Sequence, residues 1–164
     1  MLYKTKYLVI FSLFFILYYL PVVAQNKSTL KQLALNSDVI LAGKVLTQSS
    51  DWNKEKSRIY TTVTIEVDEY LKGNINEQSI KVIHPGGEVG NVGELYSHMP
   101  KFNNDEEVLL FTKINEDGNN YKVVSGEEGK LTIYSDQKTG EKITSSNKKI
   151  GALKNEIKNL VEQK

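Results

Sequence analysis

The chain contains no cysteine, and this one absence excludes disulfides, thiol catalysis, cysteine-based zinc sites and a lipidated N-terminal cysteine together. Histidine is nearly missing too: His84 and His98 are the 2 present, so any metal site has few imidazoles to draw on. No charge of one sign dominates. With 21 Lys and Arg against 20 Asp and Glu, the net charge of +1 gives no bulk attraction to nucleic acid or anionic lipid. Beyond the first 24 residues there is no long hydrophobic run, no internal repeat and no low-complexity segment.

What is present is one domain's worth of chain. Its 164 residues, 40% apolar, would not fill two cores of useful size. Lys4 and Lys6 precede an apolar run from Tyr7 to Leu20, and Val22-Val23-Ala24 puts small residues where a signal peptidase reads. Residues 1–24 are therefore expected to be a signal peptide cut between Ala24 and Gln25. The 14 residues of that run fall short of the roughly 20 that a spanning helix needs, so no stable membrane anchor is expected after cleavage. The expected location is secreted or periplasmic, by bacterial Sec-type export, because an exported domain without disulfides suits that setting.

The remainder divides into residues 25–36, 37–146 and 147–164. Leu30, Leu33 and Ala34 share a helical face behind Ser28 as N-cap, which predicts a short N-terminal helix. VILAGKVL from Val39 predicts a strand, and the polar QSSDWNKEKS after it predicts a loop. From Ile59 to Leu71 apolar residues alternate with Tyr60, Thr62, Thr64, Glu66, Asp68 and Tyr70, the period of a long half-buried strand. That strand has no internal glycine, so a bulge is the expected means of bending it. QSIKVIH predicts another strand, EEVLLFTKI one buried on both faces, YKVVSG its hairpin partner across an Asp117-Gly118 turn, and GKLTIY a further strand. From Lys148, apolar residues at helical spacing predict a C-terminal amphipathic helix docked by Ile150, Leu153, Ile157, Leu160 and Val161. The expected fold is mainly β, a small antiparallel OB-like barrel of five to six strands with a helix at each end.

Three segments in this order carry a family resemblance: Ser37-Asp38-Val39-Ile40-Leu41-Ala42-Gly43-Lys44-Val45, Tyr70-Leu71-Lys72-Gly73 and Glu107-Val108-Leu109-Leu110-Phe111. Residues 37 to about 134 thereby resemble the netrin-type modules, of which tissue inhibitors of metalloproteinases are the best known. The resemblance implies an OB-like five-stranded barrel, and similar segments in bacterial exported proteins accompany secreted peptidases. The inhibitors chelate the zinc of their target through an N-terminal cysteine, and a chain without cysteine cannot carry that wedge over.

Candidate chemistry gathers in HPGGEVGNVGELYSHMP, residues 84–100. His84, Glu88, Glu94 and His98 would have to converge in space to hold an ion, since Pro85, Gly86 and Gly87 prevent a helix from presenting His84 and Glu88 on one face. Ser97-His98 lacks an orienting third group, Ser125-Gly126 is not a nucleophile elbow, and the glycines at 86, 87, 90 and 93 match no phosphate-binding motif. Tyr60, Tyr70 and Trp52 suit saccharide or protein contact. The sequence thus predicts an exported, noncatalytic binding module without cofactor that contacts another exported or envelope protein through the 84–100 loop and the neighbouring 48–57 loop, and no nucleic acid. Its contact residues are expected to be Trp52, His84, Gly86, Gly87, Glu88, Glu94, Tyr96 and His98. Two alternatives stay open: a small metal-dependent hydrolase centred on His84, Glu88 and His98, and a structural accessory of the envelope.

Overall fold

A computed structural model describes residues 28–73 and 75–162. The expected signal peptide, with its cut between Ala24 and Gln25, lies outside the described residues. Among the described residues no helix is long and apolar enough to cross a membrane.

Helix α1 (Leu30–Asn36) leads into a long antiparallel ribbon, β1 (Val39–Trp52) and β2 (Ile59–Lys72), followed by β3 (Ser79–Pro85). A small hairpin of β4 (Gly87–Val89) and β5 (Val92–Glu94) precedes β6 (Glu107–Ile114) and β7 (Tyr121–Val123). After a 3-10 turn at Gly126–Gly129 come β8 (Lys130–Ser135), β9 (Lys142–Thr144) and helix α2 (Ile150–Glu162). Five strands close a barrel in the order β1-β2-β3-β7-β6, with β6 pairing back onto β1. The expected OB-like barrel with two helices is therefore the architecture found, but it is mixed and not purely antiparallel. Five strands cannot alternate in direction all the way round a closed ring, so one neighbour pair must run parallel. That pair is β3–β7, joined at Val82 and Tyr121.

The barrel wall separates two cores. Inside lie Val39, Leu41, Val45, Val63, Ile65, Ile80, Val82, Val108 and Leu110, with Phe102 and Tyr121. Outside, Ile40, Leu109 and Phe111 from the opposite faces of β1 and β6 meet Leu33 and Ala34 of α1 and Leu153 and Ile157 of α2. This is why EVLLFTKI is apolar on both faces, as its sequence predicts. Val67 and Val123 are only partly buried against the inner core.

The structure departs from the sequence reading at three places. β1 runs on through the polar QSSDW stretch, and the loop shrinks to the turn after Trp52, where Asn53 Oδ1 accepts from the N–H groups of Ser57 and Arg58. The β1–β2 register slips between Ile40 and Leu41, between Ala42 and Gly43, and between Val45 and Thr47, which are the bulges that bend the ribbon. They also reverse the face of β2. Leu71 enters the outer core while Tyr70, expected on the exposed face, packs against the inner one and donates from its hydroxyl to the Glu77 carbonyl at 2.9 Å. Burial, aided by Tyr121 and Glu77, pushes the Tyr70 hydroxyl up to about 12. Finally, α1 is capped by Thr29 in a capping box with Gln32, one residue later than the expected Ser28.

The segments behind the family resemblance have structural work here. Lys72 Nζ donates to the carbonyls of Ala34 and Ser37 and so closes the C-terminus of α1. Asp38 Oδ2 accepts from the Ile114 amide, joining the start of β1 to the end of β6.

Candidate functional site

The 84–100 stretch, which looked in sequence like one glycine-rich loop, is a built excursion. β3 continues to Pro85, and the chain then reverses through β4 and β5 around Gly90, at φ +60°. Two glycines seat this hairpin on the ribbon. Gly86 donates its N–H to Ile59 O at 2.9 Å, and Thr61 Oγ1 donates to Gly86 O at 2.7 Å. Ser50 Oγ stands 2.9 Å from Thr61 Oγ1, whose proton is already committed to Gly86, so Ser50 is the donor of that pair. A Cβ on Gly87 would lie 2.3 Å from Ser50 Oγ and 2.4 Å from Thr61 Oγ1, at φ +133°. The second glycine is thus there for close approach of backbone to ribbon.

Between the hairpin, the ribbon and the returning segment 99–103 lies an open cleft of about 460 Å³. Six of the sequence-predicted contact residues line it: His84, Gly86, Gly87, Glu88, Glu94 and Tyr96. Tyr96 is braced by Arg58, whose Nη1 donates to its hydroxyl at 2.5 Å, and the hydroxyl in turn donates to Glu94 Oε2 at 3.0 Å. His84 stacks on Phe102 with centroids 6.1 Å apart, and its Nδ1 lies 3.0 Å from Pro85 O. A carbonyl only accepts, so Nδ1 is the donor of that contact.

The remaining two predicted residues stand apart from the cleft lining. Trp52 ends β1 opposite Ile59 at the far end of the ribbon. His98, at φ +63°, faces Glu127 across 3.7 Å, and its carbonyl accepts from the Glu127 amide. The proposed centre of His84, Glu88 and His98 is therefore not assembled, and among the described residues no three His, Asp or Glu side chains group closely enough to hold an ion. The glycines and prolines of the stretch turn the backbone at fixed points and spread the two imidazoles apart.

Gln48, Ser50, Met99 and Pro100 fall within the expected 48–57 and 84–100 stretches, whereas sequence reasoning missed Thr61 of the floor and Lys101 to Asn103 of the far wall. Residues 47–51 are polar at every position, so spacing alone does not say which of them face the cleft. The far wall is held from beneath by a part-buried ion pair. Glu106 Oε1 and Lys130 Nζ are 2.6 Å apart, with 10% and 9% of their side chains exposed, and Lys130 sits 5.2 Å from the Phe102 ring centre. Glu106 also accepts from the Thr132 hydroxyl and the Asn103 amide. Burial opposes ionisation of Glu106, but the hydrogen bonds from Lys130, Thr132 and Asn103 outweigh it and hold the carboxyl below its ordinary value.

No protein-family model matches this chain, and no curated protein matches it.

Proposed function

We propose that the chain is an exported, noncatalytic recognition module that contacts another exported or envelope protein through the 84–100 excursion. The observation that carries this is Leu95, 90% exposed at the end of β5 on the rim of the cleft. One exposed leucine means little by itself. The same hairpin also exposes Val92, 47% exposed, at its turn end, and it is fixed to the ribbon by Gly86 and Gly87 and braced by the Arg58–Tyr96–Glu94 chain. Apolar side chains displayed on a rigid hairpin next to a cleft lose little entropy on binding. The OB-like strand order supports the netrin-type reading at the level of fold, and the absence of cysteine removes the zinc-chelating wedge from it.

The test is removal of the excursion. Replacing residues 88–96 by a short Gly-Ser bridge spares both cores, so circular dichroism should keep its β signature while capture of the envelope partner by the domain from Gln25 onward is lost. Equal capture by the intact and shortened domains would refute the reading.

A further inference from the structure

The outer half of β1 is a free strand edge, and its hydrogen-bonding direction can be read residue by residue. Val45 turns its N–H and C=O away from β2, to Glu106 O and the Asp105 amide, at 2.9 Å each. The bulge at Leu46 then shifts the alternation by one. At the other end Asn53 donates to Arg58 O, so its groups point across the ribbon. Counting from either end, Thr47, Ser49 and Asp51 bond to β2, while Gln48, Ser50 and Trp52 direct their main-chain groups outward. Beyond Val45 β1 pairs only with β2, and the outward groups of Gln48, Ser50 and Trp52 have no main-chain partner among the described residues, while the Gln48 side chain donates from Nε2 to Phe102 O at 3.2 Å. The edge carries no proline and no lysine to blunt it.

The same three residues share one face of the ribbon, and Gln48 and Ser50 are part of the cleft floor. Every second side chain of a strand added here would turn to the cleft side. On that side Glu88 is exposed and makes no ion pair among the described residues, whereas Glu94 is tied through the Tyr96 hydroxyl to Arg58, and Lys101 is the ammonium of the lining. We propose that the module binds an extended segment of its partner as an added β-strand along Gln48–Trp52, with a lysine or arginine of that segment directed to Glu88. Main-chain pairing supplies affinity and the cleft supplies selection among side chains. This rests on the recognition reading above and names the partner's binding form.

Pools of synthetic peptides about seven residues long, matched to the edge and fixed at the centre as Lys, Glu or Ala, test it on the domain from Gln25 onward. The Lys pool should bind best, and Glu88→Gln should remove that preference. Amide exchange at Ser50 and Trp52 should slow on binding, while Ser49 and Asp51 are protected already. N-methylation of alternate peptide amides should weaken binding about tenfold, the scale of one or two lost hydrogen bonds. Ser50→Pro should do the same, with Ser50→Ala as the control for the Thr61 contact. The N-methylated peptides keep the test decisive if the proline variant does not fold. Strand addition is overturned if no pool binds, if binding leaves these amides unprotected, or if methylation has no effect. Protection that rises with protein concentration in the absence of peptide would overturn it too, assigning the edge to a second copy. Loss of partner on deleting 88–96 together with full binding by Ser50→Pro would leave recognition standing and remove only the strand.

Discussion

Gly87 is the residue on which the excursion turns. Any side chain there meets two hydroxyl oxygens at less than 2.5 Å, and the backbone angle of +133° is one that other residues rarely adopt. Gly87→Ala should therefore cost about 2 kcal/mol, the scale of a strained backbone position, and the loss should fall on the hairpin before the barrel. Amide exchange would show this as faster opening of β4 and β5 with β6 unchanged, whereas Gly93, which lacks a positive φ and where an added Cβ meets nothing nearer than 3.5 Å, is the comparison. Little of this is legible in sequence. Four glycines among two prolines say that the chain turns; which glycine serves a turn and which serves a close approach depends on Ser50 and Thr61, far away along the chain. The same limit applies to His84 and His98. Their types suggest ligands, but the side to which each turns is decided by Phe102 and by Glu127, contacts that sequence spacing does not encode.

Helix α2 was legible as an element because its apolar spacing is set by its own geometry, and Leu153 and Ile157 are buried where that spacing puts them. Its docking has two components, the apolar stripe and the pair of ammonium groups, Lys154 and Lys158, each 2.8 Å from Glu69 on β2. The stripe should dominate. Leu153→Ala leaves a cavity in the outer core and should cost about 2–5 kcal/mol, while Glu69→Gln breaks a half-exposed pair and should cost less than about 1 kcal/mol. Urea midpoints of the two variants decide it, and comparable losses would mean that the ion pairs, not packing, hold the helix. β1 was less legible for the opposite reason. A polar ribbon that projects beyond the barrel needs no apolar alternation, so its second half reads as loop until Ser50 is found beside Thr61. The bulges were predictable as a need, from a long strand without glycine, but their places were not. Tyr70 therefore ended on the inner side and Leu71 on the outer one.

Across the whole molecule, the barrel and its β8–β9 extension are joined by the Glu106–Lys130 pair, and that pair makes stability depend on pH. Glu106 is held below its ordinary value of 4.5, and the hydrogen bonds from Lys154 and Lys158 hold Glu69 below its own. A carboxyl whose folded value is depressed stabilises the fold fully above its unfolded value, and that contribution is lost as the pH falls through the folded one. Stability should thus be flat near neutrality and decline below about pH 4.5, where the unfolded chain begins to take up more protons. Glu106→Gln should lower stability at neutral pH by about 1–3 kcal/mol, because it leaves the largely covered ammonium of Lys130 without its counter-charge. It should also flatten part of the acid decline, since the titrating group is gone. Adding Lys130→Met to Glu106→Gln removes the stranded charge and places an apolar chain against Phe102, so the double variant should regain much of the loss while keeping the flattened profile. Urea midpoints of the three proteins from neutral pH downward give the measurement. A double variant no more stable than Glu106→Gln alone would show that the cost comes from the Thr132 and Asn103 hydrogen bonds, and that the far wall of the cleft is held by those and not by the ion pair.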